Sequence, residues 1–349
     1  MTFDAKLEAT LADTSPSRFQ RRIAVFVSLS LALAAAFMYA SGRSPGPQLP
    51  TFVVAFYPVL AGIYLLIAVL IDAEARWHCS LALVILAKAF FFVFAAVVAY
   101  LFVFPGAFAS PVLAGAVPHS SLWIWMFWHF GFAALVVVYS FLDPQKIRMS
   151  ERVIRFFRLT LPAVAVVGVY LLWWLACAPH ILPEIRVNGV QGYPTTAFTS
   201  LRFLLVASDV AALGSLIWLT RCRSMLNLWL GVALWAQLLE VLLGIGGQAR
   251  YSYGWYFSRL HGGISALIIL VVFLHSMFKL RDNVLRQNVE LYHQASEDPL
   301  TGLANQRAFF EQLRRAVARN HRDPKSLALL VLDVDHFKGY NDTYGHAAG

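Results

Sequence analysis

The sequence predicts an all-α polytopic membrane domain of eight transmembrane helices, then a connecting helix and the opening of an α/β domain. Three observations carry that prediction. Hydrophobic residues make up 59% of the 349 residues and charged residues only 13%. With a mean hydropathy of +0.63, this composition excludes a water-soluble globule. Apolar runs of about 20 residues, enough to cross about 30 Å of hydrocarbon as helix, recur from residue 23 to residue 278. Beyond that point the chain turns charged and periodic.

The runs lie near 23–41, 51–72, 80–104, 121–142, 159–178, 200–220, 224–246 and 255–278. The stretch Asp143 to Arg158 is too charged to enter lipid and separates the fourth run from the fifth. The first run is long for a signal peptide and follows about twenty polar residues, so it is expected to remain as a span. Four segments result: a cytoplasmic 1–22, the membrane domain 23–278, a connecting helix 279–297 and a C-terminal 298–349.

Orientation follows from lysine and arginine bias. With the N-terminus inside, inner segments hold 14 such residues, among them Lys6, Arg76, Lys146, Arg148, Arg158 and Arg221. The outer loops hold Arg43, Arg186 and Arg250. An even number of spans returns the C-terminus to the same side. The net charge of +9 therefore reads as a topology signal and an attraction to anionic lipid, not as a nucleic-acid footprint. Cys79, Cys177 and Cys222 are too scattered for a disulfide framework or a zinc site. No fixed-period repeat or low-complexity tract is present.

From Lys279 to Glu297 charged and amide residues interleave with Val284, Leu285, Val289, Leu291 and Tyr292, a helical pattern. Met277, Val284 and Leu291 form one heptad row and Arg281, Asn288 and Ala295 its companion. Two readings stand: a short, register-sensitive parallel coiled coil, or a single amphipathic helix lying on its own domain.

Next come Asp298-Pro-Leu-Thr-Gly-Leu-Ala-Asn-Gln-Arg-Ala-Phe309 and, after an apolar strand expected at 326–332, Asp333-Val-Asp-His-Phe-Lys-Gly-Tyr-Asn-Asp-Thr-Tyr-Gly-His-Ala-Ala-Gly349. Phe309, Phe310, Leu313 and Val317 recur at helical spacing. A carboxylate at a strand's C-terminal edge suits a hard cation, although a lone D-x-D pair is more often a loop cap. The two motifs together resemble the opening of GGDEF domains, the diguanylate cyclase family, in which D-x-L-T-G-L-x-N-R-R-x-F precedes D-x-D-x-F-K-x-x-N-D-x-x-G-H-x-x-G and an Asp. Gln306 stands where the first arginine is usual. The α/β GGDEF domain is thus incomplete here, and 279–297 becomes its signalling helix.

The resemblance implies that Asp333 through its side chain and Val334 through its carbonyl carry Mg2+. It also implies that His336, Phe337 and Lys338 hold the terminal phosphates of GTP and that Asn341 reads guanine. It further implies a homodimer that condenses two GTP into cyclic di-GMP and two pyrophosphates. The G-G-D/E-E-F hairpin and the second metal carboxylate are not in these 349 residues, so the chain as given is expected to be inactive. Residues 298–349 are expected to be loosely attached, because one strand and one helix cannot cover each other.

Within the membrane part, Phe104-Pro-Gly-Ala-Phe108, Trp123 to Phe132 and Gly254-Trp-Tyr-Phe-Ser-Arg259 are similar to the fourth class of membrane-associated sensor (MASE) domains, over about residues 45–278. A bacterial inner-membrane location with both termini cytoplasmic follows.

Residues that lipid should exclude mark a sensor pocket. Arg202, Asp209, Glu240, Arg259 and His129 with its neighbour Trp128 fall at mid-membrane or in the outer half, and Lys88 toward the inner side. Arg202 and Asp209, seven residues apart, share a helix face and are expected to meet the same neighbours. The charges form either a ligand pocket or a structural ion-pair network. His261 and His275 share a face of the eighth span, but no matching histidine pair elsewhere supports haem. Three function classes remain: a sensor driving a cyclase, a non-catalytic receptor for a small ligand, and a transporter, against which stands the lack of an inverted repeat.

Overall fold

A computed structural model describes residues 11–12, 14–108, 120–142, 149–177, 196–247, 249–298, 301–322 and 326–345. Lys6, Lys146, Arg148, Arg186, Pro299 and residues 346–349, which the sequence reading used, lie outside these. The chain divides into two compact units, Met1–Leu280 and Arg281–Gly349.

The first unit is built from α1 (Arg18–Ala40), α2 (Pro50–His78), α3 (Leu81–Val103), α4 (Ser120–Leu142), α5 (Glu151–Cys177), α6 (Thr196–Thr220), α7 (Met225–Gly247) and the leading part of α8 (Tyr253–Ser296). Among the described residues, seven helices are long and apolar enough to cross a membrane. The expected fifth span falls on α5, whose described apolar run is the shorter Val166–Leu175.

Serines punctuate these helices, because a side-chain oxygen satisfies an N–H left unpaired in the first turn. Ser17 and Gln20 form a reciprocal capping box on α1. Ser80 Oγ accepts from Leu83 N–H at 3.4 Å, Ser224 Oγ from Asn227 N–H at 3.1 Å and Ser252 Oγ from Trp255 N–H at 3.2 Å. Cys79 closes α2 in the left-handed region at φ 48°.

α3 is the central helix, buried along most of its length and packed against α2, α4 and α5. α4 packs on α6, and α7 joins α6 to α1. Tyr57, Tyr100 and Trp128 form an aromatic core, with ring centroids 4.6 Å apart between the tyrosines and 5.3 Å between Tyr100 and Trp128. α1 is peripheral. Its Phe26, Leu29, Leu33 and Phe37 face outward, as lipid contact requires, while Trp235 Nε1 donates to the Ser28 carbonyl at 3.0 Å from α7.

At one end, the α1–α2 connection pairs its backbone with the α7–α8 connection: Gly46 N–H donates to Tyr251 at 2.9 Å and Gly254 N–H to Gly42 at 2.9 Å. Gly254 lies so close to Gly42 and Gly247 that any side chain there would collide with backbone. Tyr256 Oη donates to the Pro47 carbonyl at 2.5 Å. At the other end, Met225 N–H donates to the Thr14 carbonyl at 2.8 Å and Ala12 N–H to Glu74 Oε1 at 2.9 Å. Asp72 there joins three helices, taking Lys88 at 3.3 Å and both Nε and Nη2 of Arg158.

In the second unit, α8 continues to Ser296, followed by α9 (Gln306–Arg322) and α10 (Phe337–Tyr344). Residues 326–334 form no strand, contrary to the expected strand at 326–332. A strand is defined by its ladder partner, and none exists among the described residues.

Candidate functional site

Glu240 on α7 is the centre of the membrane-embedded polar cluster. Its Oε1 stands 3.6 Å from His129 Nε2 on α4 and 4.0 Å from Arg259 Nη1 on α8. All three residues are buried. His129 is aligned by its other nitrogen, Nδ1, which lies 2.8 Å from the Trp125 carbonyl one turn back. That contact fits the tautomer whose Nδ1–H donates, turning Nε2 toward Glu240. Trp128 stacks on the imidazole with centroids 5.3 Å apart. The Arg259 guanidinium packs over Trp125 at 5.3 Å and Trp255 at 5.1 Å, and its Nη1 donates to Ser258 Oγ at 2.9 Å. Such stacking suits a delocalised, weakly hydrated cation.

Asp209 on α6 is buried and accepts from Gln237 Nε2 at 2.9 Å. Gln237 and Glu240 are three apart on α7 and share a face, a cue the sequence offered and the charge-based reading passed over. Asp209 thus meets Gln237, while Arg202 lines a cavity on the outer side of the bundle. Seven residues on a helix rise about 10 Å, so the two side chains share a face but not a depth.

Two cavities result. The inner one, with about 20 Å³ of free volume, is lined by His129, Gln237, Glu240, Tyr64 and Ser265, among others. The outer one, with about 40 Å³ of free volume, is lined by Arg202, Arg250, Arg259, Trp125, Tyr100 and Ser121 among others. Arg250, which the sequence reading counted only as a loop charge, donates to Ser121 Oγ at 3.3 Å and lies 4.8 Å over the Phe104 ring. Of the six expected sensor residues, the structure brings His129, Trp128, Glu240 and Arg259 together, sets Asp209 beside Gln237 and places Arg202 in the outer cavity.

The second unit carries the other candidate residues. Asp298 builds a tight turn between α8 and α9: its Oδ1 accepts from Thr301 N–H at 3.0 Å and Thr301 Oγ1 at 2.9 Å, and its carbonyl accepts from Gly302 N–H at 2.9 Å. Gly302 takes φ 69° there, a conformation natural to glycine. Asn305 Oδ1 caps α9 through Ala308 N–H at 3.0 Å. Asp333 and Val334 lie in an exposed turn, with Asp333 Oδ1 accepting from Val334 N–H at 3.0 Å. His336, at φ 55°, leads into α10. Phe337 and Lys338 open that helix, and Asn341 follows one turn later. No group of three metal-ligating side chains occurs among the described residues.

Comparison with known proteins finds a family match within each unit. The family model for the membrane-associated sensor, integral membrane domain (MASE4), matches residues 47–281, and that for the diguanylate cyclase GGDEF domain matches residues 295–349. Diguanylate cyclase DgcP of Pseudomonas aeruginosa is 47% identical over 77 residues, 20% of this chain and 12% of that protein. Probable diguanylate cyclase DgcT of Escherichia coli is 34% identical over 126 residues, 35% of this chain and 26% of that protein. Diguanylate cyclase DgcS of Shewanella oneidensis is 48% identical over 63 residues, 18% of this chain and 21% of that protein. The chain therefore spans 12% to 26% of the length of these relatives. No solved structure matches the chain. With its family model covering the helical bundle and a GGDEF match following it in order, the chain belongs to the MASE4 family of integral membrane sensor domains.

Proposed function

We propose that this chain is the sensor and the leading cyclase segment of an inner-membrane diguanylate cyclase, with both termini in the cytoplasm. The observation that carries the reading is the order of the two family matches, a MASE4 bundle and then a GGDEF opening; to Asp333, Val334, His336, Phe337, Lys338 and Asn341 we assign the metal and GTP contacts that their motif's resemblance implies. The reaction joins two GTP: the 3′-hydroxyl oxygen of each attacks the α-phosphorus of the other, and the bond to the β-phosphate bridging oxygen breaks. Cyclic di-GMP and two pyrophosphates result.

The chain's own residues bind and orient. The turn from Val334 through His336 leads into the N-terminus of α10, where backbone N–H groups and Lys338 favour phosphate. Asn341 presents an amide for the guanine edge. The Asp333 carboxylate and the Val334 carbonyl suit Mg2+ in kind, since that ion takes one or two carboxylates together with substrate phosphates and water. Bound there, it would neutralise triphosphate charge. Two GTP sites must meet, and Leu285, Val289 and Tyr292, exposed at i, i+4 and i+7 on one face of α8, supply an apolar surface for a second copy. Residues 1–349 contain no Gly-Gly-Asp/Glu-Glu-Phe sequence and are expected to be inactive alone.

Cyclic di-GMP production from GTP and Mg2+ in lipid discs tests this, comparing residues 1–349 with residues 1–297 joined to the complete cyclase domain of a matched relative. Product from the fusion alone supports the proposal. No product from a fusion whose isolated cyclase domain is active would leave a non-catalytic receptor.

A further inference from the structure

We propose that His129 and Glu240 hold one exchangeable proton between them, and that this proton is the input of the sensor. This deepens the sensor reading above and rests on it. A backbone carbonyl only accepts, so the 2.8 Å contact of His129 Nδ1 with the Trp125 carbonyl keeps the hydrogen of a neutral imidazole on Nδ1. Nε2 is then an acceptor. It faces the Glu240 carboxylate at 3.6 Å, and an ionised carboxylate also only accepts. Both side chains are buried, so two acceptors are turned toward each other, and a proton on either one reconciles them. The cavity that both line has about 20 Å³ of free volume, room for one water and for no organic ligand. Such a water can donate to both acceptors when the proton has left, which is what makes the proton exchangeable.

Charge balance asks for the same proton. The groups around the imidazole are Glu240 from α7, Asp209 from α6, Arg259 from α8 and Tyr64 from α2, with Tyr57 and Tyr100 against Trp128. Lys88 is engaged with Asp72 elsewhere, and Arg202 and Arg250 line the outer cavity. Asp209 is 1% exposed, receives only the neutral Gln237 amide on Oδ1 and has no partner on Oδ2. Arg259 keeps its charge. Two carboxylates against one guanidinium leave a net negative charge in a buried site, which is costly, and one added proton removes it. Glu240 Oε1 is also 4.0 Å from Arg259 Nη1 on α8, the helix that runs on to Ser296. The proton and the α8 guanidinium therefore compete for one carboxylate, and coupling of this kind is reciprocal.

The 349-residue chain, with isotope-labelled histidine rings, is placed in phosphatidylcholine discs and scanned from about pH 5 to about pH 9 by solid-state NMR. The His129 signals are those lost in His129→Gln, and infrared spectra of the same samples report protonated carboxyl groups. At the acid end one proton is expected on the pair, either as an imidazolium at His129 or as a carboxyl band that Glu240→Gln removes. It should leave in a single step within the scan. Glu240→Gln should abolish that step or weaken proton binding by about tenfold or more, and Asp209→Asn should weaken it by about threefold. Arg259→Gln frees Glu240 from its competing cation and should tighten proton binding by about threefold or more, a change of sign that a purely structural network would not give. If Glu240→Gln does not fold, the other two variants decide. A neutral imidazole opposite an ionised Glu240 throughout, a proton that stays bound across the whole scan, or a midpoint unmoved by every folded variant overturns the proposal. No nucleotide is present, so failure here leaves the cyclase reading standing, and failure of the cyclase assay leaves this result standing.

Discussion

Glu240 and Gly262 are in direct contact across the α7–α8 interface: a Cβ on Gly262 would fall inside the van der Waals envelope of the Glu240 carboxylate. The missing side chain is what lets a buried carboxylate sit between two helices and reach His129 and Arg259.

Gly262→Ala should therefore displace Glu240 and lower stability by about 1–3 kcal/mol, the usual range for overpacking. Gly244→Ala is the control, since its Cβ would meet only ordinary contacts of 3.5 Å or more. Thermal unfolding of both variants in detergent checks this, and an equal shift in the two would contradict it.

Glu240→Gln leaves Arg259 and His129 beside a neutral amide. Removing one partner of a buried charge pair costs about 3–5 kcal/mol. Adding Arg259→Gln removes the uncompensated cation, so the double variant should be more stable than the sum of the single changes predicts. A double-mutant cycle on unfolding midpoints measures the coupling.

Arg158→Lys should retain the charge beside Asp72 but lose the two-pronged contact of Nε and Nη2, because an ammonium cannot reproduce the guanidinium fork. A loss of about 1–2 kcal/mol is expected, with Arg158→Ala losing more. Lys88→Ala should be the mildest of the three, since Lys88 offers a single 3.3 Å contact.

Topology is checked by fusions. Green fluorescent protein joined after residue 150, 222 or 297 should fluoresce, and alkaline phosphatase joined after residue 47, 107, 180 or 250 should be active. Phosphatase activity at residue 222 would remove α5 from the spans.

The sequence by itself determined the helical membrane class, because hydrocarbon leaves the backbone no partner but its own and so forces long apolar runs. The sequence also carried the marks of both families, in the Trp123 to Phe132 and Gly254 to Arg259 stretches of the membrane part and in Asp298, Thr301 and Gly302, residue types that suit the tight turn they form. The serine caps at Ser17, Ser80, Ser224 and Ser252 are local hydrogen bonds that came to light with the structure. Seven-residue spacing puts Arg202 and Asp209 on one face of a helix but about 10 Å apart along it, and only packing among the helices settled what each meets, Gln237 for Asp209 and the outer cavity for Arg202. The expected strand at 326–332 failed for the same reason: a ladder needs a partner that local pattern does not supply. Tertiary structure alone placed Gly262 beneath Glu240, Gln237 beside Asp209, and Arg250 from a loop and Arg259 from a span on one wall. Contacts of that kind depend on which helix faces meet, and burial and charge are settled there, between residues far apart in the chain.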